Sequence, residues 1–238
     1  MITKADPGVP FRTWRPALAC AGAALVLLQA GASPSAGETG RITGRVILTA
    51  PVATPLASAA YATRRVERVS APATSEINNV VVFVQDAPRT AGVVAMRARI
   101  AQQGETFVPR VVAVTRGSTI DFPNGDPYFH DVFSLSRAAS FDLGSYPRGS
   151  SRSWQFHRAG IVKVYCHIHS HMSASILVFD HPYFAMPHAD GGFTIDDLPA
   201  GTYHVSAWHE RIGENVQTVR VDPGRSADLE FSLPVATR

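Results

Sequence analysis

Cysteine is nearly absent from this chain: among 238 residues only Cys20 and Cys166 carry a thiol. A framework of several disulfides, the usual staple of small exported domains, is excluded. Charged residues are sparse at 17%. Beyond the N-terminal apolar run there is neither a stretch of membrane-spanning length nor a sustained 3.6-residue apolar period. Transmembrane and helical-bundle architectures therefore have no basis in the pattern. What is present is a 45% hydrophobic share, with 18 glycines and 17 prolines scattered among short apolar runs. That composition is ordinary for a folded chain with room for one large or two small domains, and its turn-rich texture points to β structure.

The N-terminus is read separately. Lys4, Arg12 and Arg15 precede an apolar run from Ala17 to Leu28, and Ala30-Gly31-Ala32 follows with the small residues of a signal-peptidase site. Residues 1–32 are expected to be a signal peptide cut after Ala32, making the protein periplasmic or secreted, with no membrane span left after cleavage. Cys20 leaves with that segment. So do three basic residues and Asp6, which lowers the formal net charge from +3 to +1. The basic balance belongs to the leader, and nucleic acid is not an expected partner. Cys166 is then a lone thiol in an oxidising compartment, where thiols ordinarily pair.

From about Gly40 the reading is all-β. The runs RITGRVILT (41–49) and NNVVVFVQD (78–86) are rich in β-branched residues, and an irregular Ala/Pro/Thr/Ser-rich stretch at 50–76 separates them. MRARIAQ (96–102) alternates as a half-buried strand does. FVPRVVAVTRGSTIDF (107–122) divides into two strands around Arg116-Gly117, and SWQF, IVKVYC and ASILVFD follow. The last block, from GGFTID to DLEFSL, is again short strands with Gly, Pro and Asp between them. One or two antiparallel sandwiches are expected.

The nine residues VYCHIHSHM (164–172) hold one cysteine, three histidines and one methionine. Strand alternation puts Val162, Val164 and Cys166 on one face of IVKVYC, opposite Ile161, Lys163 and Tyr165. The loop that follows brings His169 and Met172 round, so a strand and its exit supply a thiolate, an imidazole and a thioether. Upstream, His130 stands just before another apolar strand. His130, Cys166 and His169 with a weak axial Met172 make the donor pattern of a mononuclear blue-copper site. Thiolate and thioether favour Cu(I), imidazole tolerates Cu(II), and an intermediate geometry changes oxidation state with little rearrangement. His167 and His171 compete for the role of His169. His167 would alternate to the other face, and His171 would leave Met172 no separate direction of approach. Cys166 could instead be an inert core cysteine, and Met172 plain core. His157, His181, His188, His204 and His209 are read as surface or turn residues. The His209-Glu210 neighbours point to opposite faces of a strand and do not make a second metal site. Asn124 and Asp126 in PNGDP are read as turn formers in place of ligands.

The string CHIHSHM matches C-x-x-H-x-x-M, and FPNGDPYFH resembles the segment around the first copper histidine of cupredoxins, the plastocyanin and amicyanin relatives. RIAQQGETFVPRVVAVTRGSTIDFPNGD is similar to cupredoxin N-terminal strands, so the resemblance spans residues 96–180. It implies a Greek-key β-sandwich binding one copper ion through His130, Cys166, His169 and Met172. Many cupredoxins follow the first histidine with asparagine, whereas here Asp131 stands there. The flanks, 40–95 and 181–238, resemble the beginning and end of a carboxypeptidase-regulatory-like, prealbumin-type sandwich, which implies a discontinuous second domain. Chains combining these modules resemble proteins of methylamine utilisation.

The expected function is a blue-copper protein carrying single electrons between transient redox partner proteins, with the edge of His169 as the electron port. The alternatives are a non-redox copper carrier that adds His167 and His171 as ligands, and a β-sandwich module that contacts glycans or proteins through its flanking portion. An enzyme is not expected, because four protein ligands leave no open coordination position and one cysteine excludes a binuclear two-thiolate centre.

Overall fold

Short β-branched and aromatic runs become strands throughout the computed structural model, which describes residues 39–49, 75–89 and 93–233. The leader at 1–32, with Cys20 and Ala32, and all but the end of the 50–76 stretch lie outside those residues. The first strands are β1 (Thr39–Leu48), β2 (Val80–Val84), β3 (Arg97–Arg99), β4 (Ala101–Gln102), β5 (Phe107–Val108) and β6 (Val111–Thr115). Then come β7 (Thr119–Pro123), β8 (Phe133–Ser136), β9 (Ala139–Asp142), β10 (Ser151–Gln155), β11 (Gly160–Tyr165) and β12 (Ser173–Phe179). The last are β13 (Phe184–Ala185), β14 (Gly192–Pro199), β15 (Gly201–His209), β16 (Gly213–Val221) and β17 (Ser226–Leu233). A 3₁₀ turn, Glu76–Asn79, precedes β2. The protein is all-β. Among the described residues no helix is long and apolar enough to cross a membrane.

Strands pair within two sets. β3 to β12 form a five-stranded sheet ordered β6-β12-β11-β8-β9, a three-stranded sheet β10-β7-β3 and the small β4-β5 ladder. β1, β2 and β13 to β17 form the sheets β14-β1-β17 and β13-β2-β15-β16. No ladder among the described residues joins one set to the other. Each set fills its own core: Ile120, Phe122, Phe156, Val162, Val164 and Ile176 in the first, and Ile42, Val82, Phe193, Val205 and Phe231 in the second.

The alternation read from 96–102 holds for Arg97 and Arg99, exposed, against buried Ile100, while Met96 is exposed. The run is not one strand, however. β3 pairs parallel with β7, whereas β4 turns to pair antiparallel with β5. β6 and β7 do meet around Gly117, whose φ of 89° suits a residue without a Cβ. The strand expected just after His130 is β8, but its hairpin partner β9 and the short β13 had no place in the pattern reading.

Two strands read as continuous apolar runs because both of their faces are covered. In β12, Ala174, Ile176 and Val178 face the first core, while Leu177 and Phe179 join Val111 and Ala113 in a third cluster. Val81 belongs to that cluster, while its neighbours Val80 and Val82 fill the second core. Trp208, Phe184 and Met186 pack against the same cluster. At its rim Glu210 accepts from Lys163 of β11 and lies 4.0 Å from Arg110.

Candidate metal centre

β11 and β12 are antiparallel neighbours, and the loop between them, 166–172, closes one end of the first sandwich. The alternation of IVKVYC holds: Val162 and Val164 are buried, Ile161 and Tyr165 are exposed, and Cys166 follows with its sulfur buried. The backbone N–H of Met172 donates to the His169 carbonyl at 2.9 Å, which tightens the loop. Met172 is buried in the same cluster as Cys166. His130 is brought in by the segment between β7 and β8, where its backbone exchanges two hydrogen bonds with Tyr146 at 3.3 and 2.9 Å. The phenol of Tyr146 donates to the Phe122 carbonyl at 2.7 Å and is joined by the Gln102 amide.

These elements bring His130, Cys166 and His169 together, their donor atoms all within 4.8 Å of one another. The Nδ1 atoms of His130 and of His169 each lie 3.9 Å from Cys166 Sγ. A trigonal metal with metal–sulfur and metal–nitrogen distances of roughly 2.3 and 2.0 Å separates sulfur from nitrogen by roughly 3.7 Å. The three residues therefore fit an ion held between them, and two imidazoles with one thiolate and a buried thioether nearby are a donor set that suits copper. His130 is wholly buried, whereas His169 is half-exposed. Phe129 and Ile168, both exposed, are the chain neighbours of these two histidines.

His130 Nε2 donates to Asp126 Oδ2 at 2.8 Å. Burial alone would lower the pKa of this imidazole, but the Asp126 carboxylate and then the Cys166 sulfur push it up to about 9. Burial likewise raises the pKa of Asp126, yet the His130 ring and the backbone N–H groups of Glu105 and Gly104 bring it below the usual carboxylate range. His169 behaves in the opposite way. Burial, followed by the positive His130, holds its pKa below the ordinary value and keeps the ring neutral, as a ligand must be.

The competing histidines are engaged elsewhere. His167 stacks on Phe133 with ring centroids 3.6 Å apart, and its Nδ1 faces Asp131 Oδ2 at 2.5 Å. His171 Nε2 lies 3.5 Å from Glu105 Oε2. Asp131 Oδ1 accepts the backbone N–H of His167 at 2.7 Å, so a carboxylate ties the histidine segment to the residue after Cys166. Asp131, Asp142 and His167 are also close enough to share an ion. The first and last already satisfy each other, and Asp142 accepts the Gly144 N–H at 2.7 Å.

Two sequence readings change. His209 is not a surface or turn residue but a buried residue of β15, 3.3 Å from Glu76. His181 is a turn residue as expected, though a buried one, its Nδ1 accepting the Tyr183 N–H at 3.2 Å. Asn124 is the turn former expected, donating to the Tyr128 and Tyr146 carbonyls and accepting the Asp126 N–H. Asp126 does more than form a turn, because its carboxylate stands behind His130. Only a histidine four places after an aspartate marked this in the sequence, and in a string so dense in turn residues that signal is weak.

No family model matches the chain, and no curated protein matches it. Among solved structures, the chain is similar to a purple cupredoxin from Nitrosopumilus maritimus, at 19% identity over 34% of this chain and 98% of that one, with a TM-score of 0.31. It is similar to amicyanin from Paracoccus versutus at 19% identity over 41% of this chain and 96% of that one, TM-score 0.33. A copper-containing nitrite reductase from Thermus scotoductus SA-01 aligns at 20% identity over 41% of this chain and 25% of the reductase, TM-score 0.33.

Proposed function

We propose that this protein is an exported, non-enzymatic carrier of single electrons built on one type 1 copper site. The observation that carries this reading is the convergence of His130 Nδ1 and His169 Nδ1 on the buried sulfur of Cys166, each at 3.9 Å. Met172, buried in the same core cluster as Cys166, would be the fourth donor. Copper bound there would supply a one-electron couple. The chain's own residues hold the donors in place, exclude water on the His130 side and leave His169 half-exposed as the port. The exposed Ile168 and Phe129, chain neighbours of His169 and His130, would offer apolar surface for brief contact with a redox partner protein. In this reading residues 96–180 form the copper sandwich, inserted into a second sandwich built from 40–95 and 181–238.

A non-redox copper buffer would need His167 and His171 as added ligands, but their engagement with Asp131 and Glu105 favours the electron carrier. Voltammetry of the copper-loaded protein separates the two. A reversible one-electron wave is expected, and tight Cu(I) binding with no reversible wave would overturn the reading.

A further inference from the structure

We infer that Asp126 is a positioning residue that sets the reduction potential of the copper site, an inference that rests on the copper reading above. The carboxylate is almost completely buried and is held from two sides. On one side the β4-β5 turn points two consecutive backbone N–H groups at it, Gly104 at 2.6 Å to Oδ1 and Glu105 at 2.9 Å to Oδ2. Both turn residues have positive φ, 63° and 55°, and the Gln103 N–H closes the turn on the Thr106 carbonyl at 2.9 Å. On the other side Oδ2 accepts from His130 Nε2 at 2.8 Å, on the edge of the ring away from Cys166.

A neutral acceptor at Nε2 would fix the ring and its tautomer equally well. A carboxylate adds a full negative charge, one imidazole width from the metal position and shielded from solvent, where salt screens it little. It raises the basicity of the ligand and favours the more highly charged Cu(II) over Cu(I), which lowers the potential. The turn N–H groups keep that charge aimed at the histidine. The four donors alone do not determine the potential, and Asp126 is the anion in contact with the ring edge of a histidine that could hold the metal.

The test compares full-length wild type, Asp126→Asn, Asp126→Ser and Asn124→Ser, each loaded with copper and titrated spectroscopically against mediators of known potential. Removing the charge at 126 is expected to raise the ratio of Cu(I) to Cu(II) affinity at least tenfold, an upward shift of about 59 mV for a one-electron couple. Asn124→Ser loosens the same loop without altering charge, and is expected to leave the potential near that of wild type. A potential unchanged in folded, copper-loaded Asp126→Asn, or raised equally by Asn124→Ser, would overturn the inference. So would failure of both Asp126 variants to fold, which would make the carboxylate a support for the turn. Failure of the copper reading itself shows separately, as a wild type with no copper-thiolate absorption.

Discussion

His130 and His169 have the same distance to one sulfur but opposite proton affinities. The first is paired with a carboxylate and its pKa is pushed up to about 9, whereas the second is held below the ordinary 6.5. Because the folded-state value of His130 lies above its unfolded value, the stabilisation it brings is full below about pH 6.5 and is lost as pH rises towards 9. The metal-free protein should lose thermal stability across that window. The copper-loaded protein should not, since an Nδ1 that binds metal cannot bind a proton. Melting temperatures of both forms from pH 6 to 9.5 check this, and a flat profile for the metal-free protein would contradict it. At this scale the sequence was informative for Cys166, whose burial follows from alternation along IVKVYC. It was nearly silent on Asp126, whose role depends on a turn more than twenty residues upstream.

At the scale of elements, β12 and β2 show how a sequence pattern reports its surroundings. A strand with one wet face alternates, as 161–166 does, but ASILVF and VVVFV do not alternate because neither face meets water. Leu177 points away from the core that holds Cys166, into the cluster shared with Val81 and Val111. Leu177→Ala should therefore cost about 2–5 kcal/mol by urea denaturation while leaving the copper absorption of the folded protein unchanged. A loss below about 1 kcal/mol would mean that the second set of strands does not cover this face in solution. The break at Ile100 was less legible, because pattern alone does not tell when a strand exchanges one partner for another. The strand after His130 was expected, but its hairpin partner β9 was hidden for a related reason: Leu135 is exposed, and FSLSRAASFD gives no clean period.

Across the molecule, two sets of strands pair only among themselves in the described residues and meet through a third apolar cluster and the Glu210 contacts. The first set runs from Arg97 to Phe179, and strands before and after it in the chain complete the second. Such an arrangement keeps the loop of Cys166, His169 and Met172 tied to a rigid sheet at both ends, β11 on one side and β12 on the other. It also delivers His130 from a separate segment 36 residues away. All-β architecture was legible in the sequence because turn residues and short apolar runs recur along its length. That the flanks 40–95 and 181–238 belong together was an expectation of their resemblance, but the partners and direction of β1, parallel to β17 and antiparallel to β14, came only from the fold. The claim that this scaffold exists to hold a redox copper ion is tested most directly by the absorption spectrum of the copper-loaded, oxidised wild-type protein. An intense visible copper-thiolate band that disappears in Cys166→Ser is the expected result, and a colourless Cu(II)-loaded protein would contradict the account.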